Sequence, residues 1–357
     1  MKKLVALLIT MLAFANPAVA AEPAPAADEF TIAAVGDLML GNRTEPFLKK
    51  FGPDYPFVEV KPFFDQADVI VGNLESPISI RGTAVENKKF TLRAGPIAVE
   101  ALVAAGIRVV TLANNHSMDF GPLALQDTIE HLDENNILYT GAGMDLDDAR
   151  APAILKVKGK TLAFLSYSLT FPLEFFASAS RPGTAPGYKE FVKADIEKAR
   201  AVADFVVVSF HWGAELMTAA KDYQIALGRE SIDWGADLVL GHHPHVLQEI
   251  ELYKGKLIAY SLGNFVFGSE SNRTNTSMIL LLTFQGNSLV RVTAVPLDVN
   301  NYRVKYQPKV LKGKAAVEVL ESINTASERF NTKLKIENDL GTIALTPLVT
   351  KETGTQQ

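Results

Sequence analysis

Residue types able to bind a metal are concentrated in five short polar motifs. These motifs hold five of the six histidines, together with carboxylates and asparagines: Gly36-Asp37, Asn73-Leu74-Glu75, Asn114-Asn115-His116, His211-Trp212-Gly213 and Gly241-His242-His243-Pro244-His245. The chain has no cysteine, which excludes thiolate ligands, disulfides and a thiol nucleophile. Imidazole, carboxylate and asparagine ligands suit Mn, Fe or Zn and suit calcium poorly. The set exceeds one tetrahedral site and could fill two adjacent sites with a bridging carboxylate.

The run around Pro244 is the strongest of these motifs. Proline favours extended backbone in the residue before it, and alternate residues of an extended segment project to the same side. We therefore expect the imidazoles of His243 and His245 to face one metal region. Each of the other motifs has a plainer explanation when it stands alone, such as helix capping by Asp37 after a turn. Their joint occurrence is what predicts a site.

An apolar run typical of a strand precedes each motif. Such runs alternate with helical patterns, which predicts βαβ units and a mostly parallel sheet. Ligands bind beyond the carboxyl ends of parallel strands, so we expect the motifs to point into one crevice. The predicted strands are 31–35, 69–71, 109–112, 161–166, 205–210, 238–240 and 257–260, and the predicted helices are 96–105, 123–135, 192–202 and 222–234.

The pattern changes after about residue 272. Residues 278–284 and 289–295 predict a hairpin, 315–331 a helix and 341–345 a last strand. No linker divides the chain, so 30–350 are predicted to form one domain, with core motifs in 36–265 and the hairpin, helix and strand in 277–346. Residues 171–188 predict a long loop. This loop and the polar stretch 268–277 could wall the crevice.

The N-terminus has the pattern of a secretory signal peptide at residues 1–20. Lys2 and Lys3 precede the apolar run 4–15, and Ala18-Val19-Ala20 is a small-residue cleavage pattern. Residues 21–29 are predicted to be a linker. Cleavage removes both lysines and changes the formal charge from −5 to −7. We expect an exported protein, periplasmic or extracellular, that stays membrane-associated only if the leader is uncleaved.

Composition and missing motifs argue against several classes of protein. A content of 48% hydrophobic and 21% charged residues is unlike that of a disordered chain. The acidic balance disfavours nucleic-acid binding. The sequence lacks a Gly-x-Ser-x-Gly elbow, a phosphate-binding P-loop and a complete dinucleotide fingerprint, which disfavours a serine hydrolase, an NTPase and a dehydrogenase.

Taken in order, these motifs resemble the CapA family of poly-γ-glutamate capsule synthesis proteins. The resemblance also covers Ser76-Pro77 after Glu75 and Ser261-Leu262-Gly263-Asn264-Phe265, so it extends from Gly36 to Phe265. It implies an α/β fold, a four-layer αββα sandwich like that of the metallophosphoesterases, with mostly parallel sheets. The wider phosphoesterase pattern begins Asp-x-His, whereas Leu38 and Met39 follow Asp37 here.

The resemblance also implies roles for individual residues. The metal ligands for two divalent ions would be Asp37, Glu75, Asn115, His211, His243 and His245, with Glu75 as the bridge. His116 would stabilise the leaving group or transition state, and Asp119 would orient it. Substrate contact or support of the ligands would fall to Asn73, His242, Asn264 and Arg93.

Two functions follow as hypotheses. The first is a metal-dependent hydrolase that cleaves a phosphoester or amide bond in an anionic polymer or its precursor. The second is a non-catalytic factor that binds or guides poly-γ-glutamate, or works within a membrane synthase complex. An acidic chain that binds a polyanion needs bridging metal or a local basic strip, for which Lys88, Lys89 and Arg93 are candidates. The plainer alternative for this strip is a solvated loop.

Overall fold

The computed structural model describes residues 29–268 and 271–345. The predicted leader, nearly all of the predicted linker and residues 346–357 lie outside the described residues. In chain order the strands are β1 (Glu29–Met39), β2 (Val69–Leu74), β3 (Val109–Thr111), β4 (Leu138–Thr140), β5 (Ala142–Gly143), β6 (Ala153–Val157), β7 (Lys160–Ser168), β8 (Gly183–Thr184), β9 (Phe205–His211), β10 (Leu238–His242), β11 (Ile250–Tyr253), β12 (Lys256–Ala259), β13 (Asn264–Phe267), β14 (Thr276–Gln285), β15 (Ser288–Asp298), β16 (Lys309–Val310), β17 (Lys335–Glu337) and β18 (Leu340–Ala344).

The α-helices lie mostly between the strands of the first two-thirds of the chain. They are α1 (Glu45–Phe51), α2 (Lys61–Phe64), α3 (Ile97–Ala105), α4 (Gly121–Glu134), α5 (Leu146–Arg150), α6 (Lys189–Arg200), α7 (Asp222–Asp233), α8 (Asn301–Val304) and α9 (Gly313–Ser327), and 3-10 turns lie at Tyr55–Phe57, Leu173–Phe175 and Glu328–Phe330. All four predicted helices and the late helix are confirmed within a few residues.

Two large sheets form the centre of the molecule. The first has the order β17-β18-β15-β14-β1-β2-β3-β4, with β13 also paired to β1 and β16 to β15. The second has the order β11-β12-β10-β9-β7-β6. Pairing is parallel in β1-β2-β3-β4 and in β7-β9-β10-β12, and antiparallel in the hairpin strands and at the edges of the second sheet. The predicted hairpin is β14 and β15.

Apolar side chains on the two faces of each strand divide the core into layers. From β1, Phe30 and Ile32 pack between the sheets, whereas Ala33 and Val35 join α3 and α4 on the outer face. On the far side, α6 and α7 pack against β7, β9 and β10. Strands buried on both faces show as continuous apolar runs, which is why they could be found in the sequence. The αββα arrangement is confirmed.

The polar motifs meet at one end of this sandwich. Three of them lie within or just after the carboxyl-terminal ends of strands of the first sheet (β1, β2 and β3), and two lie at those of the second (β9 and β10). The crevice therefore lies across two packed sheets, at the carboxyl ends of the parallel strands of both. The predicted loop at 171–188 is mostly irregular and contains one 3-10 turn and the short strand β8.

Candidate metal centre

Strand register aligns the polar residues of each sheet. In the first sheet, Asp37 pairs with Asn73 on β2 and with Asn264 on β13. In the second sheet, His211 on β9 pairs with His242 on β10. Residues paired across neighbouring strands place their side chains on the same face of the sheet. Parallel pairing thus gathers residues that lie up to about 230 positions apart in the chain.

Gly36 permits the close approach on which this alignment depends. A Cβ atom at Gly36 would lie 2.0 Å from the carbonyl oxygen of Gly263. The next amide, that of Asp37, donates a hydrogen bond of 2.9 Å to the same carbonyl. The register of β1 shifts at this point, as in a β-bulge, which re-aims a side chain at the end of a strand.

Two groups of side chains that could hold a metal ion share Glu75. One group is Glu75, His211 and His243, and the other is Asp37, Glu75 and His245. Within each group one ligand atom per residue lies within 4.8 Å of the others. Glu75 Oε1 is 3.6 Å from His211 Nε2 and 3.7 Å from His245 Nε2. Glu75 is thus the one side chain common to both groups.

Two atoms of these groups are buried without a hydrogen-bond partner. They are Glu75 Oε1 and His243 Nδ1. An unsatisfied buried polar atom costs on the order of 1–3 kcal/mol, so each needs a partner. A divalent cation coordinated by carboxylate oxygen and imidazole nitrogen would supply one for both. The residues present therefore fit a divalent metal.

The backbone of the His-Pro-His segment differs from the prediction. His243 has φ of 95° and His245 has φ of 59°, so the expected extended geometry is wrong. The chain turns sharply here, held by the His243 amide, which donates to Asp37 Oδ2 over 3.4 Å, and by Pro244 O, which accepts from the Leu216 amide. The two imidazoles still converge, with ring centroids 5.9 Å apart, and they enter different groups.

The two carboxylates differ in electrostatic environment. Burial tends to raise the pKa of Asp37, but contacts with His242 and His245 outweigh it and hold this pKa well below its ordinary value. Asp37 Oδ1 lies 3.1 Å from His242 Nδ1, and Oδ2 lies 3.2 Å from His245 Nδ1. Burial, and then the charge of Asp37, raise the pKa of Glu75 well above its ordinary value. A cation at Glu75 would reverse that shift.

Neighbouring groups also shift the pKa values of the histidines in different directions. Burial and the charge of His245 lower the pKa of His243 to about 3. Burial also lowers the pKa of His211, and the electrostatic effect of the neighbouring His243 acts in the same direction. For His245 the charge of Glu75 and contact with Asp37 outweigh burial and raise the pKa to about 10. Neutral imidazoles at His211 and His243 are in the form that binds metal.

His116 and Asp119 form a buried pair beside these groups. His116 Nδ1 is 2.6 Å from Asp119 Oδ2, and His116 Nε2 is 3.9 Å from Glu75 Oε1. Burial lowers the pKa of His116, against the opposing effect of Asp119. The imidazole is thus anchored at one nitrogen and faces the shared carboxylate with the other.

Asn73 connects the two carboxylates and is more central than its predicted supporting role suggested. Its Nδ2 donates to Asp37 Oδ1 over 2.9 Å and to Glu75 Oε2 over 3.2 Å. Its Oδ1 accepts from Asn114 Nδ2 over 3.0 Å, and Asn114 Oδ1 in turn accepts from the His116 amide over 3.0 Å. This buried amide chain links the two groups to the His116 motif. Asn114 lies in one of the five predicted motifs, but no role was predicted for it.

The other predicted site residues fall at different distances from the centre. Asn115 Oδ1 lies 2.8 Å from His211 Nε2, and Asn264 Oδ1 lies 2.8 Å from His245 Nδ1. The guanidinium of Arg93 instead stacks on Phe120, 4.1 Å from the ring centroid. The role predicted for Arg93 toward a substrate stays a prediction.

The sequence did not single out Lys88 as a neighbour of the His116–Asp119 pair. Of the proposed basic strip, Lys88 turns inward and donates to Asp119, with only 15% of its side chain exposed. It therefore belongs neither to an exposed strip nor to a solvated loop. Phe175, from the predicted loop 171–188, lies against it, with Nζ 5.0 Å from the ring centroid. Twenty-eight positions separate Lys88 from His116, and no spacing rule connects them.

In the described part of the chain no helix is both long and apolar enough to cross a membrane.

The fold and the centre together define an αββα sandwich with a candidate metal site across its two sheets. The chain belongs to the family described as bacterial capsule synthesis protein PGA_cap, which matches residues 31–269. It is 35% identical to the PGA biosynthesis protein CapA of Bacillus subtilis, over 76% of this chain and 72% of that protein. It is 34% identical to the capsule biosynthesis protein CapA of Bacillus anthracis, over 76% and 68%. The resemblance to the CapA family is thereby confirmed.

Solved structures with a related arrangement include nucleotidases and a phosphoesterase. The NAD nucleotidase of Haemophilus influenzae aligns with a TM-score of 0.48 and 13% identity, over 82% of this chain and 62% of that one. A 5'-nucleotidase precursor of Thermus thermophilus gives 0.46 and 12%, over 86% and 60%. A calcineurin-like phosphoesterase of Bacillus subtilis gives 0.41 and 16%, over 79% and 88%. The chain spans about three-fifths of the length of either nucleotidase.

Proposed function

We propose that this chain is a metal-dependent hydrolase that cleaves an amide or phosphoester bond in an anionic capsule polymer or its precursor. The observation that carries the proposal is the position of Glu75 Oε1, buried, without a hydrogen-bond partner and common to both metal-binding groups. Two divalent ions held there would polarise the scissile group and activate a water molecule. His211 and His243 would complete one site, and Asp37 and His245 the other.

The protein's own side chains would position the reacting groups. His116 Nε2 faces Glu75 Oε1 at 3.9 Å, so this nitrogen is placed to exchange a proton beside the ions. Asp119 holds the opposite nitrogen of the ring at 2.6 Å. Asn73 donates a hydrogen bond to each carboxylate, at Asp37 Oδ1 and Glu75 Oε2, and leaves Glu75 Oε1 without a hydrogen bond. Metal binding and proton transfer are thus assigned to separate residues.

The charge of the loaded centre favours an anionic substrate. Asp37 and Glu75 supply two negative charges against the four positive charges of two divalent ions, and the surrounding histidines contribute no negative charge. A positive focus in a crevice attracts anions even when the protein as a whole is acidic. The relatives are named for PGA and capsule biosynthesis, which makes poly-γ-glutamate the first polymer to examine.

The location we propose is outside the cytoplasm, supported by the leader pattern at residues 1–20.

Polymer cleavage by the metal-loaded protein tests this proposal. The protein is incubated with poly-γ-glutamate and Mn²⁺ or Zn²⁺, and polymer length and newly formed amino groups are followed over time. A phosphodiester probe is assayed in parallel. We expect turnover that EDTA abolishes and that is lost in Glu75→Gln, whereas Glu134→Gln, an exposed position on α4, retains it.

Absence of turnover in the metal-loaded protein, on polymer and phosphodiester alike, would contradict the hydrolase.

One relative favours a second function. A Mycobacterium tuberculosis protein named "Probable polyglutamine synthesis accessory protein" is 32% identical over 67% of this chain and 68% of that protein. For an accessory factor, polymer would be retained on the immobilised protein without being shortened.

A further inference from the structure

Lys88 is a lysine whose ammonium group is directed into the protein rather than into water. Its Nζ donates to the backbone carbonyl of Asn115 and to Asp119 Oδ1, and it lies 3.2 Å from His116 Nδ1. Burial lowers its pKa, against the opposing charge of Asp119. A buried ammonium is costly unless acceptors and a counter-charge surround it, and here both are present.

Asp119 is fully buried, and each of its oxygens has a donor. Oδ1 accepts from Lys88, and Oδ2 accepts from the Leu92 amide over 2.6 Å. The third contact is the 2.6 Å approach of His116 Nδ1 to Oδ2. A carboxylate oxygen cannot donate, so we assign the proton of this short contact to Nδ1. In the neutral imidazole that tautomer leaves Nε2 as an acceptor.

Lys88 also connects two segments of the chain. It lies on the segment that follows β2, and both of its acceptors belong to the segment between β3 and α4. The backbone adds two more links, from the Val85 amide to Asp119 O over 2.9 Å and from the Leu92 amide to Asp119 Oδ2. The segment that follows β2 thus packs over Asp119. The Lys88 side chain shields Asp119 on the side next to His116.

We propose that Lys88 is a positioning residue: it clamps the Asp119 carboxylate and the Asn115 carbonyl, so that Asp119 holds the Nδ1 proton of His116 and Nε2 faces Glu75 as a proton acceptor. Lys88 does not touch the reacting atoms. The importance of this clamp for hydrolysis rests on the proposed function, whereas the place of the proton does not. The two can therefore fail separately.

The test reads the His116 ring directly, by NMR of the full chain with ¹⁵N-labelled histidine, without metal and again with Zn²⁺. His116→Gln assigns the signals. We expect a proton on Nδ1 in the wild type, shielded from solvent. In Lys88→Gln we expect this proton to exchange with water at least about tenfold faster, because the clamp over Asp119 is open. Lys88→Arg, which can bridge the same acceptors, should restore slow exchange.

Lys89→Gln is the matched control, since Lys89 is the next residue and is exposed. Its His116 signals should equal those of the wild type. If the His116 proton of the wild type is found on Nε2, the proposal is overturned by that measurement alone. The test therefore does not depend on whether Lys88→Gln folds. Equal exchange rates in the wild type and a folded Lys88→Gln would overturn it as well. If polymer cleavage is found, Lys88→Gln should lower kcat at least about tenfold, with KM and bound metal unchanged.

Discussion

Glu75 concentrates the chemistry of the centre in a single side chain. Its Oε2 accepts from Asn73, while its Oε1 has three imidazole nitrogens within 3.9 Å and no hydrogen-bond partner. Without metal, this buried carboxylate is destabilising, which its raised pKa reflects. In the metal-loaded state that we propose, the same oxygen would be a shared ligand. One residue therefore has opposite effects on stability in the two states.

This reversal predicts a crossover for Glu75→Gln. In EDTA the variant should be more stable than the wild type, by about 1 kcal/mol in the free energy of unfolding, because a buried charge is removed at nearly constant shape. With Mn²⁺ or Zn²⁺ it should gain less stability than the wild type does. Urea unfolding in both conditions measures this. A variant less stable than the wild type in EDTA would argue against a net destabilising effect of the buried Glu75 carboxylate in the absence of metal.

His116 should separate catalysis from metal binding, because it belongs to neither of the two metal-binding groups. In His116→Gln we expect bound metal to stay at the wild-type amount while turnover falls by about 10²–10⁴-fold, the usual range for a lost acid–base group. Metal analysis and rate measurements on one preparation provide the check. Loss of metal in this variant would instead assign the imidazole to the coordination sphere.

At the scale of elements, the centre depends on where strands end and how closely they approach. The bulge of β1 at Asp37 and the adjacent Gly263 bring the first sheet's carboxylate toward the His243 turn of the second sheet. Gly36 is required because its missing side chain leaves room for the Gly263 carbonyl. Even a one-carbon substitution at this contact between Gly36 and Gly263 should therefore disturb the candidate metal site.

Gly36→Ala tests this dependence. The added methyl would meet Gly263 O at 2.0 Å, so β1 and the turn before β13 must separate. We expect a loss of about 2–4 kcal/mol in stability and of most metal binding. The control is Gly286→Ala in the β14–β15 turn, where nothing lies within 4 Å and only the positive φ of 59° is unfavourable. It should lose about 1 kcal/mol and retain metal. Equal effects of both changes would contradict the close-approach argument.

The sequence predicted the elements better than their connections. Buried strands and amphipathic helices have strong periodic patterns, and the motifs after them identified the ligand candidates. The left-handed backbone at His243 and His245 was missed, because the preference of a residue before proline was overridden by the turn that brings the chain to Asp37. Lys88 was predicted only as part of a basic strip, and its inward position beside His116 was missed because its contacts are purely tertiary. Such contacts leave no period or spacing in one sequence.

At the scale of the whole molecule, the centre joins the two sheets at one end and an aromatic cluster joins them within the core. Phe30, Phe205 and Phe284 meet there with ring centroids 4.5–5.4 Å apart, the first and last from one sheet and Phe205 from the other. Ligands from both sheets bind the same ions in our proposal. Metal should therefore stabilise the sandwich as a whole rather than one loop.

Metal removal tests this coupling. A ligand that binds only the folded state adds about 2.7 kcal/mol to the free energy of unfolding when its free concentration is one hundred times its dissociation constant. We expect the midpoint of thermal unfolding to fall when EDTA replaces Mn²⁺ or Zn²⁺, and the difference to be smaller in His243→Ala, which removes a ligand from only one of the two groups. A midpoint that is the same with metal and with chelator would contradict binding across both sheets.

The most direct measurement of the central claim is the metal content of the chain after exposure to Mn²⁺ or Zn²⁺ and gel filtration, read by mass spectrometry beside His243→Ala. The two groups that share Glu75 predict close to two ions per chain in the wild type and fewer in the variant. One ion per chain would contradict the shared dinuclear site and leave a mononuclear one. No bound metal would contradict the hydrolase and favour the accessory function.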